Sequence, residues 1–107
     1  MAFVCGAAMA QDRQRVDLEL VLAVDNSLSV NQREYNLQIS RIAEAFRDPD
    51  EINAILSHDG IAVSIVQWSN HKQQETGVAW TLLDSAESIA AFADRVATAP
   101  RLEVSGG

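Results

Sequence analysis

The chain has a single cysteine, Cys5, in 107 residues. One thiol near the amino terminus can form no internal disulfide and no cysteine-rich zinc site, so two common staples of small domains are excluded. Basic residues are also scarce: 8 Lys and Arg stand against 15 Asp and Glu, for a formal charge of −7. Nucleic-acid binding draws its affinity from Lys and Arg neutralising phosphates, so this balance argues against a nucleic-acid partner. It fits an anionic membrane surface equally poorly. No apolar run approaches the ~20 residues that cross a bilayer, and no membrane insertion is expected. The 5 glycines form no phosphate-cradling loop, and neither Ser27 nor Ser29 stands in a Gly-x-Ser-x-Gly elbow, which disfavours a serine hydrolase. His71 has no second ligand near it at zinc spacing. Repeats and low-complexity tracts are absent.

What is present suits one globular domain, with 48% hydrophobic residues. The organising stretch is Leu20 to Ser29. Val16, Leu18 and Leu20 alternate with Asp17 and Glu19, and an uncharged run then continues to Val24. This predicts a strand that begins half exposed and ends buried on both faces, as a central parallel strand does. Asp25 then falls at the carboxyl end of the strand, where open α/β sheets bind their ligands. Asp25, Ser27 and Ser29 alternate, so an extended loop would turn three oxygens toward one point while Asn26 and Leu28 face away. An oxygen-only set of this kind suits a hard divalent cation completed by water. A purely structural explanation stands beside it. Ser29 and Gln32 form a capping-box pattern, in which the hydroxyl simply satisfies an amide at the start of the next helix, and the two roles can coexist.

The rest of the chain alternates helix and strand signals. Asn31 with Glu34 offers a competing N-cap, and Tyr35, Ile39, Ile42 and Phe46 recur at helical spacing as core residues. Asp48-Pro49 ends that helix and starts a second, which buries Ile52, Ile55 and Leu56. Ser57 to Gly60 is a turn with His58 at the surface. Ile61 to Trp68 and Thr76 to Leu83 read as the second and third strands. The polar connection Ser69 to Gln74 is too short for a parallel crossover and predicts an antiparallel hairpin, with the third strand at the sheet edge. Trp68 and Trp80 are expected to pack under flanking helices. Asp84 with Glu87 is expected to cap a last helix whose stripe is Ile89, Phe92, Ala93 and Val96. At the other end, Met1 to Ala10 is apolar and small, and Ala8-Met9-Ala10 has the form of a signal-peptidase site. This predicts the remnant of a secretion signal and a periplasmic or secreted product.

Asp25-Asn26-Ser27-Leu28-Ser29 matches the Asp-x-Ser-x-Ser of a metal-ion-dependent adhesion site. Together with Trp68 and the Val78 to Leu82 segment, it makes Val16 to Pro100 resemble the amino-terminal half of a von Willebrand factor type A domain of a bacterial, secreted, uncharacterised branch. The resemblance implies an α/β fold: a twisted, doubly wound, Rossmann-like sheet with helices on both faces, here truncated after three strands. It also implies Mg2+ or Mn2+ held by Asp25, Ser27 and Ser29, and a protein ligand that presents a carboxylate to the metal. The function implied is a non-enzymatic binding or adhesion module of the bacterial envelope or exterior. In that family a threonine after the last of these helices and an aspartate at a later strand end complete the metal shell. No residue of Arg101 to Gly107 matches either, so the site is expected to be partial and residues 101 to 107 to lie outside the resemblance. The family's first strand is central, so a chain ending here would leave it as an open edge, and self-association through that strand is expected. Two alternatives remain. One is a magnesium-dependent phosphoryl-transfer enzyme with Asp25 as nucleophile, although Ser27 stands where a second acid is usually wanted. The other is an inactive gene fragment.

Overall fold

The computed structural model describes residues 16–69 and 74–102. Their order is β1 (Leu18–Asp25), α1 (Gln32–Ala45), α2 (Pro49–Leu56), β2 (Ile61–Trp68), β3 (Gln74–Leu83) and α3 (Ala86–Thr98). β1 and β2 pair in parallel, from Leu18 opposite Ile61 to Asp25 opposite Trp68. Parallel neighbours need a crossover, and α1 and α2 supply it. Gly60, with φ at 143°, turns the chain into β2 in a backbone region that costs glycine little. β3 returns antiparallel to β2, so the order across the sheet is β1-β2-β3 with β1 and β3 at its edges. This is the expected mixed α/β fold of Rossmann-like type.

The helix starts follow local side-chain chemistry. Asn31, and not Ser29, caps α1: its side chain accepts the Glu34 N–H at 2.8 Å, and the Glu34 carboxylate accepts the Asn31 N–H at 2.9 Å. Asp48 caps α2 ahead of Pro49, as expected. At α3 the cap falls on Ser85 with Ser88, one residue beyond the expected pair of Asp84 and Glu87. The reason is the Ser88 hydroxyl, which accepts the N–H groups of both Asp84 and Ser85 at 3.0 Å and so leaves Asp84 outside the helix.

Apolar side chains gather between the helices and one face of the sheet. Val24, Ile61, Val63, Ile65 and Leu83 from the strands close onto Tyr35, Ile39 and Ala43 of α1 and onto Ile89, Phe92 and Val96 of α3. Phe46 and Phe92 meet edge to face, with centroids 4.9 Å apart. Ile52 and Ile55 of α2 pack against the same cluster. On the other face Val21 is 53% exposed and Trp80 54% exposed. Trp80 borders a shallow pocket with Val16, Glu19, Ala62 and Leu82, none of them helical.

Three expectations are therefore corrected. Among the described residues the helices cover one face of the sheet rather than both; β1 is open on alternate residues rather than buried on both sides; and the two tryptophans stand exposed rather than under helices. The cause is topological. The crossover through α1 and α2 and the helix that follows the hairpin return to the same side, so the uncharged run of β1 has a cover for only one of its two side-chain rows. Replacing Phe92 by alanine is expected to cost about 3–5 kcal/mol in urea unfolding, through lost burial and a cavity. Trp80→Ser is expected to change the same measurement by about 1 kcal/mol or less.

Candidate functional site

The site begins where β1 runs out. Asp25, half buried, has both backbone groups taken by one side chain: its N–H donates to Gln38 Oε1 and its carbonyl accepts from Gln38 Nε2, each at 2.9 Å. An amide reaching from α1 thus stands where the next strand of a sheet would pair. The Asp25 carboxylate bends back locally, Oδ1 accepting the Ser27 N–H at 2.9 Å. The loop is not extended as the alternation suggested. It turns, with the Ser27 carbonyl accepting the Val30 N–H at 3.0 Å. The turn still brings two of the three sequence-selected groups into contact, since Ser27 Oγ and Ser29 Oγ lie 3.1 Å apart. Ser27 is buried and Ser29 exposed, so the pair leads from the interior to solvent.

Beneath the loop lies a polar network that the sequence did not announce. Asn26, 3% exposed, points inward and so parts from Leu28, which was expected to face the same way and is 66% exposed; it donates from Nδ2 to Gln67 Oε1 at 3.1 Å and to the Leu102 carbonyl at 2.8 Å. Gln67 Nε2 donates to the Tyr35 hydroxyl at 3.1 Å and to the Pro100 carbonyl at 3.0 Å. Arg101 closes the arrangement from above, donating to Asn26 Oδ1 and to the carbonyls of Ser27 and Val30. Its guanidinium carbon lies 5.5 Å from the centre of the Tyr35 ring. A cleft of about 310 Å³ opens between the loop and this segment, bordered by Asn26, Leu28, Val30, Arg101 and Leu102. Ser69, just past β2 at the same end of the sheet, is buried with its hydroxyl unpartnered among the described residues.

The donor set at the loop mouth is one carboxylate and two hydroxyls, all oxygen, which fits a hard cation or an ordered water cluster. No group of three or more His, Cys, Asp or Glu gathers among the described residues. His58 faces Asp17 at 3.4 Å, just ahead of the start of β1 and so at the opposite end of the strand from Asp25. Cys5, the Met1 to Ala10 segment and His71 lie outside the described residues. No helix among the described residues is long and apolar enough to cross a membrane.

A family model described as a protein of unknown function (DUF1194) matches residues 15–106. The matched span takes in the Asp25 loop and Arg101 alike. No curated protein and no solved structure matches the chain.

Tyr35 is the chain's one tyrosine, and its phenol is held above its ordinary value of 10.0 by burial, with the Arg101 charge pulling the other way. Near-ultraviolet titration of phenolate absorbance is expected to show this group ionising above the range of a free tyrosine. The folded chain then keeps this proton longer than the unfolded chain. Its contribution to stability is intact below pH about 10 and is lost as pH rises from there through the folded value. Urea midpoints measured across that window should fall less steeply in Tyr35→Phe than in the wild type.

Proposed function

We propose that this chain, which belongs to the family of proteins of unknown function DUF1194, is a cation-dependent binding module and not an enzyme. The observation that carries this reading is the contact of Ser27 Oγ with Ser29 Oγ at 3.1 Å, beside the Asp25 carboxylate at the carboxyl end of a parallel strand. Asp25, Ser27 and Ser29 would hold Mg2+ or Mn2+, and the cation would supply a positive centre for a carboxylate on a protein ligand. The likeness of Asp25 to Ser29 to the adhesion motif of von Willebrand factor type A domains supports the same reading. So does the fold, which gives the motif the setting that motif requires: a strand before it and a helix after it. The acidic balance of the chain favours cations over nucleic acid.

The Ala8-Met9-Ala10 pattern supports a periplasmic or secreted location for the module. β1 is an edge strand among the described residues, which supports self-association of copies through it. Phosphoryl transfer with Asp25 as nucleophile is the weaker reading. Asp25 Oδ1 is already engaged by the Ser27 N–H, and no second acid joins it in a cluster among the described residues.

The test is a manganese titration followed by water-proton relaxation. Binding is expected to be weak, with one carboxylate to neutralise the ion. Asp25→Ala should abolish it, and Ser27→Ala should weaken it by roughly tenfold, the equivalent of about 1.4 kcal/mol. Equal binding by wild type and Asp25→Ala would remove the cation from this loop. Turnover of an aryl phosphate in magnesium buffer, lost in the same variant, would favour the enzyme instead.

A further inference from the structure

We propose that Arg101 is the positioning residue of the Asp25 loop. Three acceptors of the loop converge on its guanidinium: Asn26 Oδ1 on Nε, and the carbonyls of Ser27 and Val30 on Nη2. The two carbonyls belong to the first and last residues of the turn that carries Ser29, which the Val30 N–H closes onto the Ser27 carbonyl at 3.0 Å. One planar side chain therefore fastens both ends of that turn and the residue before it. A lysine cannot do this, because its ammonium is a single point of donation on a flexible stem, whereas guanidinium offers a fixed fork of donors.

The arginine is itself held. The Tyr35 ring lies under it, the Pro100 carbonyl before it accepts from Gln67, and the Leu102 N–H after it donates to Gln67 Oε1 at 2.9 Å. The consequence for the mouth of the loop is chemical. Carbonyl oxygens are good donors to hard cations, and the carbonyls of Ser27 and Val30 are committed to Arg101. The Asp25 carboxylate and the two hydroxyls are not engaged by Arg101. The segment after α3, separated from the loop by more than half the chain, thus withholds two of the loop's carbonyl oxygens from a ligand. The effect on a cation rests on the function proposed above, whereas the effect on the loop does not.

The full chain is compared with Arg101→Ala and Arg101→Lys. Arg101→Lys keeps the charge and most of the stem, so it serves if the alanine variant unfolds. Amide hydrogen exchange is followed at Val30, with Phe92 and Val96 in α3 as internal references for global opening. Exchange at Val30 is expected to rise by roughly tenfold or more in both variants, while the α3 amides hold, since charge-assisted hydrogen bonds are lost at the turn. The Tyr35 phenol should titrate higher in Arg101→Ala and move less in Arg101→Lys. Manganese, used alone as the probe, should bind more weakly in both. Unchanged exchange at Val30 in both variants overturns the proposal. Tighter manganese binding in Arg101→Ala overturns it as well, because the arginine would then act on the site as a repelling charge. A wild-type chain that binds no manganese sinks the cation reading instead, and the Val30 exchange still decides the role of Arg101.

Discussion

The side-chain amide of Gln67 is the interaction on which the carboxyl end of the sheet depends. It is 2% exposed, and each of its four hydrogen-bonding positions is used: Oε1 accepts from Asn26 and from Leu102, and Nε2 donates to Tyr35 and to Pro100. A buried amide that loses a partner costs about 1–3 kcal/mol, so burying one is tolerable only when the surroundings satisfy it fully. Here that satisfaction comes from the Asp25 loop, from α1 and from the segment after α3. One β2 residue therefore sets the relative placement of three others. Gly77 on β3 makes the room, because a Cβ there would lie 3.1 Å from Gln67 Nε2. The ladder between β2 and β3 is irregular beside it, between Ile65 and Val66.

The two ends of β1 show how differently the chain treats its polar groups. At Asp25 the backbone would present an unpaired edge, and Gln38 closes it with a side-chain amide in place of a strand. Toward the amino end, Asp17 accepts the Asp59 N–H and faces His58, an exposed contact that salt and solvent screen. The polar work of the fold is thus concentrated where the loop is. The helix-facing row of the sheet is mostly apolar, with Gln67 as its buried polar member, and on the opposite face Val21 and Trp80 are exposed.

The parts of this architecture that depend on neighbours in sequence were legible in the residues. The strands, the hairpin, the Asp48-Pro49 helix start and the buried stripe Ile89, Phe92, Ala93 and Val96 all follow from spacing and local hydrogen bonding, whereas the choice of Asn31 over Ser29 as the cap of α1 was left open. Ser85 displaced Asp84 as a cap because two serine hydroxyls could serve each other's turn, a competition that spacing alone does not rank. One-sided burial was not legible. A run such as Leu20 to Val24 reads the same whether one face or two are covered, and only the topology of the helices distinguishes the cases. Asp25, Ser27 and Ser29 could be picked out as oxygen donors, but the turn that buries Asn26 and exposes Leu28 could not, since simple alternation sends both the same way. Gln67 and Arg101 could not be found this way, since their partners lie 41 and 75 residues from them along the chain. A glutamine near the end of a mostly apolar strand was the one available hint, because a polar side chain in a buried row must find partners.

The loop is over-determined on its inner side and bare on its outer side, and this asymmetry bears on the proposed function. Inside, Asn26 uses its oxygen and both amide hydrogens, and Arg101 fixes both ends of the turn. Outside, Leu28 is 66% exposed and Ser29 meets solvent. A site with one carboxylate neutralises only half the charge of a divalent ion, so its affinity must come from donors held in place beforehand rather than from charge count. The residual positive charge is then an attraction for an anionic group on a partner. On that reading a partner carboxylate and the cation each complete what the other lacks. By linkage, each must raise the affinity of the chain for the other by the same factor. A rigid inner network favours this coupling, because little ordering of the loop is left to oppose the arrival of either ligand.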